Sequence, residues 1–409
     1  MTAVATRAPV RPQAIASQLL ASFELAEHLE WASYDPYDLL LSPRLRGLPS
    51  RSPLAARVAV QIGRRSGAGV RRALGVPRHA EAKTLADYLQ AATLLARASY
   101  AWARGYTDGL AGSLIGAAVG QPAGLGWGLE FPYASRFTTA PPRTPNIFVT
   151  TSAACALLDV HAVTANANVL EAAAAGCRFL VDGLGSFERG GLRWLRYWPE
   201  QDDTVVNVQA SAASLLARAG AALADSELSE AAGEAAATVV ACQRSDGSWP
   251  YSCDPRASFV DGFHTGFVLQ GLAEYLDARD GIGVVVPGMC QAGAREVPGT
   301  AVEARDALAR GLLYFRERLL TPAGLPRARP GGPASDDGQT VAQCVQTLAV
   351  CSPRRSDLEL ARRLWERGLD ERTVWTPRSS RYTALRWTLG PGTLAGAHLL
   401  AALSKRDEP

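Results

Sequence analysis

Zinc-finger spacing is absent from this chain: its seven cysteines form no CxxC pair and stand near no histidine at ligand spacing. Cys155, Cys177, Cys242, Cys253, Cys290, Cys344 and Cys351 fall mostly in apolar helical context, where a free thiol serves as a small core residue. That usage suits a reducing compartment, so a cytoplasmic location is expected. No phosphate-cradling glycine loop, nucleophile elbow or dinucleotide fingerprint occurs. No cofactor, metal or nucleic-acid partner is therefore expected. The opening MTAVATRAPVRPQ has no apolar signal core, and Ala111 to Leu129, the least charged run, is too glycine-rich to span a membrane. Period-two alternation is missing as well, which excludes a large β-sheet. Aromatic residues make up only 7%, few for walling a carbocation cavity.

Acid is missing from Ser42 to Arg78, a stretch that holds Arg44, Arg46, Arg51, Arg57, Arg64, Arg65, Arg71, Arg72 and Arg78. This reads as an arginine-rich solvated helix, broken at Pro49 and Gly67–Gly69; such a run could also meet phosphate or an anionic surface.

What remains is helical. Residues 1–13 are expected to be disordered, and an apolar stripe of Leu19, Leu20, Phe23, Leu25 and Leu29 starts the first helix. Long helices are expected over 82–104 and then at short intervals from Thr150 to the end, with a Gly/Pro-rich connection from Gly112 to Pro145. About twelve helices in consecutive antiparallel pairs close into a double ring, an all-α (α/α)6 toroid. The toroid is expected over 81–405, with the helices of 14–80 packed on or completing it.

Polar and aromatic residues gather in two loops. Gln243 to Tyr275 brings together Asp246, Trp249, Tyr251, Asp254, Asp261 and His264, punctuated by Gly247 and Pro250. Trp31 to Asp38 repeats the composition with Tyr34, Asp35, Tyr37 and Asp38. Asp261 and His264, three apart, share a helix face, so the carboxylate can hold the ring in one orientation. Late in the chain Asp336, Asp337 and Gln339 precede one inner helix, and Arg381, Arg386 and Trp387 precede the last.

QRSDGSW (243–249) resembles the Q-x-x-x-G-x-W repeat of the squalene cyclase and protein prenyltransferase toroids. Their architecture is shared by six-hairpin glycosidases and sugar epimerases. DGSWPYS (246–252) and VDGFHTGF (260–267) resemble uncharacterised toroid proteins encoded with bacterial glycan-biosynthesis enzymes, as do TPNIFVTTSAACALLD (144–159), DDTVVNVQASAASLLARAG (202–220) and YDPYD (34–38). The resemblance implies a toroid fold and a cytoplasmic enzyme acting on a sugar or glycan intermediate by acid–base chemistry: epimerase, lyase or hydrolase. In that reading Asp246, Asp261, His264 and Tyr251 are catalytic. Trp249, Tyr34, Asp35, Tyr37, Asp38, Asn207, Arg386 and Trp387 bind the substrate. PEQDDTV (199–205) is also similar to the acid motif of class II terpene cyclases, which makes Asp202 and Asp203 alternative catalytic acids. Their plainer role is to cap the following helix. A glycan- or partner-binding toroid without catalysis is the third possibility.

Overall fold

The computed structural model describes residues 12–135, 138–281, 300–352, 354–368 and 382–405. Asparagine and aspartate set the starts of many helices. Asn146, Asn166, Asp225, Asp261 and Asp337 each accept hydrogen bonds from first-turn backbone N–H groups, donors that a helix leaves orphaned. Alanine-rich sequence then propagates each helix with little loss of side-chain entropy.

Among the described residues, twelve helices build two concentric rings. The inner ring consists of α5 (Ala82–Arg97), α7 (Ile147–Thr164), α9 (Val206–Leu223), α11 (Gly262–Arg279), α13 (Gly338–Cys351) and α15 (Gly390–Ser404). Each packs on the next, and α15 packs back on α5. The outer ring consists of α6 (Ala101–Gly116), α8 (Ala167–Arg178), α10 (Ser226–Ala241), α12 (Thr300–Arg318) and α14 (Arg355–Arg367), each following its inner partner in sequence. The sixth outer helix is the first in the chain, α1 (Pro12–His28), which packs on α15. Ser22 Oγ on α1 lies 2.5 Å from Thr393 Oγ1 on α15 and 3.1 Å from Tyr88 Oη on α5, which ties the closure. Because every outer helix returns the chain, all six inner helices start at one rim.

Small side chains let the inner helices approach. At Gly271 an added Cβ would stand 2.5 Å from the Ala210 carbonyl carbon, so α9 and α11 touch backbone to backbone there. Helix α7 has the length and composition of a membrane span, 18 residues at mean hydropathy 1.5, but 61% of it is buried within the ring.

Two elements differ from the sequence expectation. The helix expected over 82–104 is two, because Ser99 adopts φ 68° and turns the chain into α6 without a glycine or proline to mark it. The arginine-rich stretch forms α2 (Leu48–Arg51), α3 (Pro53–Arg65) and α4 (Ala68–Ala73) outside the ring; its breaks fall at Ser52 and around Gly67 rather than at Pro49. Among the described residues, three two-stranded hairpins decorate the loops: β1 (Val119–Gln121) with β2 (Gly124–Gly126), β3 (Tyr133–Ala134) with β4 (Thr139–Ala140), and β5 (Ser186–Arg189) with β6 (Leu192–Leu195).

Candidate active site

The inner helices turn apolar sides outward and a polar stripe inward, at i, i+4 and i+7 spacing. Lys83, Asp87 and Gln90 on α5, Phe263, Phe267, Gln270 and Glu274 on α11, and Gln339, Gln343 and Gln346 on α13 line one central cavity of about 100 Å³. One water needs roughly 10–15 Å³ on this measure, so the space matches several waters, the scale of a single sugar ring. Thr151, Ser152 and Cys155 from α7, Ser211 from α9 and Leu394 from α15 complete the wall.

Asp87 is fully buried and pairs with the Lys83 ammonium. Its Oδ2 has no hydrogen-bond partner. Burial pushes its carboxyl above the ordinary 3.8, against the pull of Lys83 and Arg386. Across the ring, Glu274 is held as an acceptor: Ser214 Oγ and Gln270 Nε2 donate to its two oxygens at 2.8 Å each. Gln343 Nε2 donates to Gln270 Oε1 at 3.1 Å and so fixes that amide. Phe148, Phe263 and Phe267 add an aromatic face, with the Phe267 ring centroid 6.1 Å from that of Phe148 and 5.1 Å from that of Phe263. Lys83 Nζ lies 5.9 Å from the Phe148 ring. Beneath the cavity, Asp159 accepts from Gln90 Nε2 at 3.2 Å and pairs with Arg218.

Arg386 enters the cavity from a π-turn, Leu385–Leu389, that leads into α15. Asp35 grips it with both oxygens, at 2.7 Å to Nε and 2.8 Å to Nη2. Burial disfavours the charged guanidinium, but the Asp35 carboxylate outweighs it and holds the pKa up. The rings of Tyr37 and Trp387 lie 5.2 Å apart beside this pair, and Arg386 stands 6.0 Å and 5.3 Å from their respective centroids. Asp35, Tyr37, Arg386 and Trp387, chosen separately from distant parts of the sequence, thus form one group.

On the same rim, Asp261 caps α11. Its Oδ1 accepts from the His264 backbone N–H at 2.7 Å, and its Oδ2 lies 2.7 Å from His264 Nδ1. Burial pushes the Asp261 carboxyl up, but His264 and two backbone N–H groups outweigh it and hold the pKa below 3.8. The Tyr251 ring stands 4.6 Å from His264 and stacks on Phe259 at 5.0 Å. Burial raises the Tyr251 hydroxyl pKa, with Tyr133, Asp203 and Asp261 adding to it. Burial pushes the Tyr197 hydroxyl pKa up, with Tyr251 and Tyr133 adding to it and Arg386 opposing. Asn207 begins α9 one turn above Ser211, with its Oδ1 buried and without a partner.

Other candidates stand elsewhere. Asp246 lies on the outer helices: it accepts from Ser248 N at 3.0 Å and Oγ at 2.7 Å, in a surface groove beside Arg310 and Tyr314 of α12. An aspartate one residue before a positive-φ glycine closes a turn, and that geometry occupies its carboxylate. Trp249 is 1% exposed; it donates from Nε1 to Val239 O at 2.9 Å and packs on Gly311, so it seals the outer ring instead of offering a sugar a platform. Asp38 is fully buried on Arg71 at 2.7 Å, which also removes Arg71 from the solvated surface expected for it. Tyr34 meets Tyr382 edge-on at 6.3 Å and Arg78 at 5.8 Å, at the outer margin of the mouth.

The acid motif also resolves into separate contacts. Asp202 is 47% exposed and pairs with Arg196 at 3.0 Å, so nothing holds it as a shielded acid. Asp203 is half-buried, and that burial raises its pKa. Neither caps α9, whose N-cap is Val205 with no side-chain bond. Cys242 and Cys253 are not isolated core thiols: their sulfurs approach to 3.0 Å. Arg381 and Cys290 lie outside the described residues. Among the described residues, no group of three or more His, Cys, Asp or Glu side chains is arranged to hold a metal ion.

No protein-family profile and no curated protein matches the sequence. Solved structures do. A possible member of the GH105 family from Salmonella enterica covers 99% of this chain and 100% of its own, at 10% identity and TM-score 0.64. A sugar epimerase from a ruminal bacterium covers 82% of this chain and 91% of its own, at 10% identity and TM-score 0.60. The cellobiose 2-epimerase of Bacillus thermoamylovorans covers 81% and 90%, at 10% identity and TM-score 0.58. The chain has the six-hairpin α/α toroid fold. Sequence reasoning missed the inward stripe of this toroid, Lys83, Asp87, Gln270, Glu274 and Gln343. Its readable signal was polar residues at i, i+4 and i+7 on otherwise alanine-rich helices.

Proposed function

We propose that this protein is an enzyme performing acid–base chemistry on one sugar ring between α5 and α11, as an epimerase, lyase or hydrolase. The observation that carries the reading is a pair of titratable assemblies at the heads of two opposed inner helices, Lys83–Asp87 and Asp261–His264. Such reactions need one group to remove a proton and another to return one from a different side of the ring. Asp261 on Nδ1 leaves His264 Nε2 as the base at the rim, its ring centroid 5.1 Å from that of the cavity-lining Phe263. Asp87, whose burial favours the protonated form, supplies the acid, and Lys83 steadies the charge left behind. Glu274, Gln270 and Gln343 offer fixed acceptors and donors for hydroxyls, and the three phenylalanines take the apolar face of the ring. Arg386 at the mouth suits a substrate hydroxyl or carboxylate. The epimerases and the GH105-like protein of similar fold support a sugar substrate, and a cytoplasmic glycan intermediate fits the sequence resemblance.

Proton NMR in heavy water tests this directly, using the intact protein and a panel of reducing sugars, uronates and glycosides. Epimerisation exchanges a ring C–H for C–D, elimination creates an alkene signal, and hydrolysis creates a new anomeric signal. One of the three should appear, and His264→Ala should slow it by about 10²-fold or more. Silence across the panel, or an unchanged rate in the variant, would remove the proposal.

A further inference from the structure

Helix α3 has apolar residues on two opposite sides. Ala56, Ala59, Val60 and Gly63 face the protein, and Gly63 sits so close that an added Cβ would come within 3.0 Å of Leu39 Cβ. On the other side Leu54, Val58 and Ile62 recur every fourth residue, 70%, 51% and 53% exposed. Val70 on α4 is also exposed, at 40%. Among the described residues only seven large apolar side chains are exposed, and these four gather within one short stretch. A solvated helix would point polar residues outward here.

Charge points to the occupant. The stretch from Ser42 to Arg78 carries nine arginines and no acid, while the chain as a whole is only +3, so the remainder is net negative. Arg44, Arg46, Arg51, Arg64, Arg65 and Arg72 are exposed in the same stretch. A nucleic acid would use the arginines but not the Leu–Val–Ile stripe. An exposed apolar stripe a little over two turns long, in a segment rich in exposed arginine, fits a planar anionic bilayer, where apolar side chains enter the headgroup–acyl boundary and arginines meet phosphates. We propose that α3 and α4 dock this protein on an anionic lipid surface. The docking face borders the mouth of the barrel: Arg64, at the end of α3, stands 5.1 Å from the Tyr37 ring. A sugar tethered to lipid would thus be presented beside the cavity, although the docking itself is independent of the reaction inside.

Co-sedimentation of the full chain with vesicles decides the matter. With phosphatidylglycerol–phosphatidylcholine vesicles at low salt the protein should pellet; with phosphatidylcholine alone it should stay in solution. Raising salt to about 0.5 M should release it, since screening then acts within a few ångströms. Val58→Asp/Ile62→Asp should weaken binding at least about tenfold, because the outward stripe would no longer enter the boundary. Circular dichroism should show its helix content unchanged, both sites being on the surface. Wild-type protein left in the supernatant would overturn the proposal. So would equal binding by the double variant, which would show charge alone, or binding to single-stranded RNA without binding to vesicles.

Discussion

Asp261 and His264 show what a sequence reveals at the scale of residues. Their spacing and the cap position were readable because both are local properties of one helix start. The same local reading also pointed to Asp246 and Trp249, since a turn aspartate and a ring-sealing tryptophan have the composition of a sugar site. Only tertiary packing separates the two. Trp249→Ala should therefore act on stability, costing about 3–5 kcal/mol, with kcat per folded molecule preserved; chemical denaturation and active-site titration would check it. Asp261 makes a pH prediction. Its folded pKa lies below the ordinary 3.8, so its contribution to stability is present above that value and fades as pH falls through the folded pKa. Asp261→Asn should flatten the acid side of the melting-temperature profile below about pH 4 while lowering the plateau at neutral pH.

Among elements, the segment after α1 makes three buried long-range contacts. Ser33 Oγ accepts from Leu385 N at 3.0 Å, Asp35 holds Arg386, and Asp38 holds Arg71. A strap of six residues thus joins the start of the chain to the last inner helix and to α4. The sequence showed its aromatic and acidic character, but the partners are over thirty and over three hundred residues away. Arg71→Gln should cost about 3–5 kcal/mol, because it strands a fully buried Asp38 carboxylate. Burial, with the Asp35 charge adding to it, already pushes that carboxyl above its ordinary value despite Arg71. The neighbouring Arg72→Gln should leave the unfolding midpoint nearly unchanged. Equal effects from the two changes, measured by urea unfolding, would contradict the buried pair. The split of α5 from α6 was unreadable for a related reason. Its turn relies on a positive φ at Ser99, a residue that gives no signal of it.

For the whole molecule, the ring could be inferred because period-3.6 patterns and short connections constrain topology strongly. The count of twelve was right with one wrong member: α6 belongs to the outer ring and the arginine-rich stretch does not. The closing role of α1 follows from the ring itself, since α15 otherwise lacks an outer partner among the described helices. The inner ring also explains where chemistry can occur. Six helix starts converge on one rim, and the cavity is lined by side chains on their inward faces and by Arg386 from the turn before α15. The most direct measurement compares kcat for Asp87→Asn and Asp246→Asn on the same substrate. Asp87→Asn should lose about 10²-fold or more, while Asp246→Asn should stay within about twofold of the wild type. A large loss in Asp246→Asn with activity retained in Asp87→Asn would put the chemistry on the outer loop and contradict a site inside the ring.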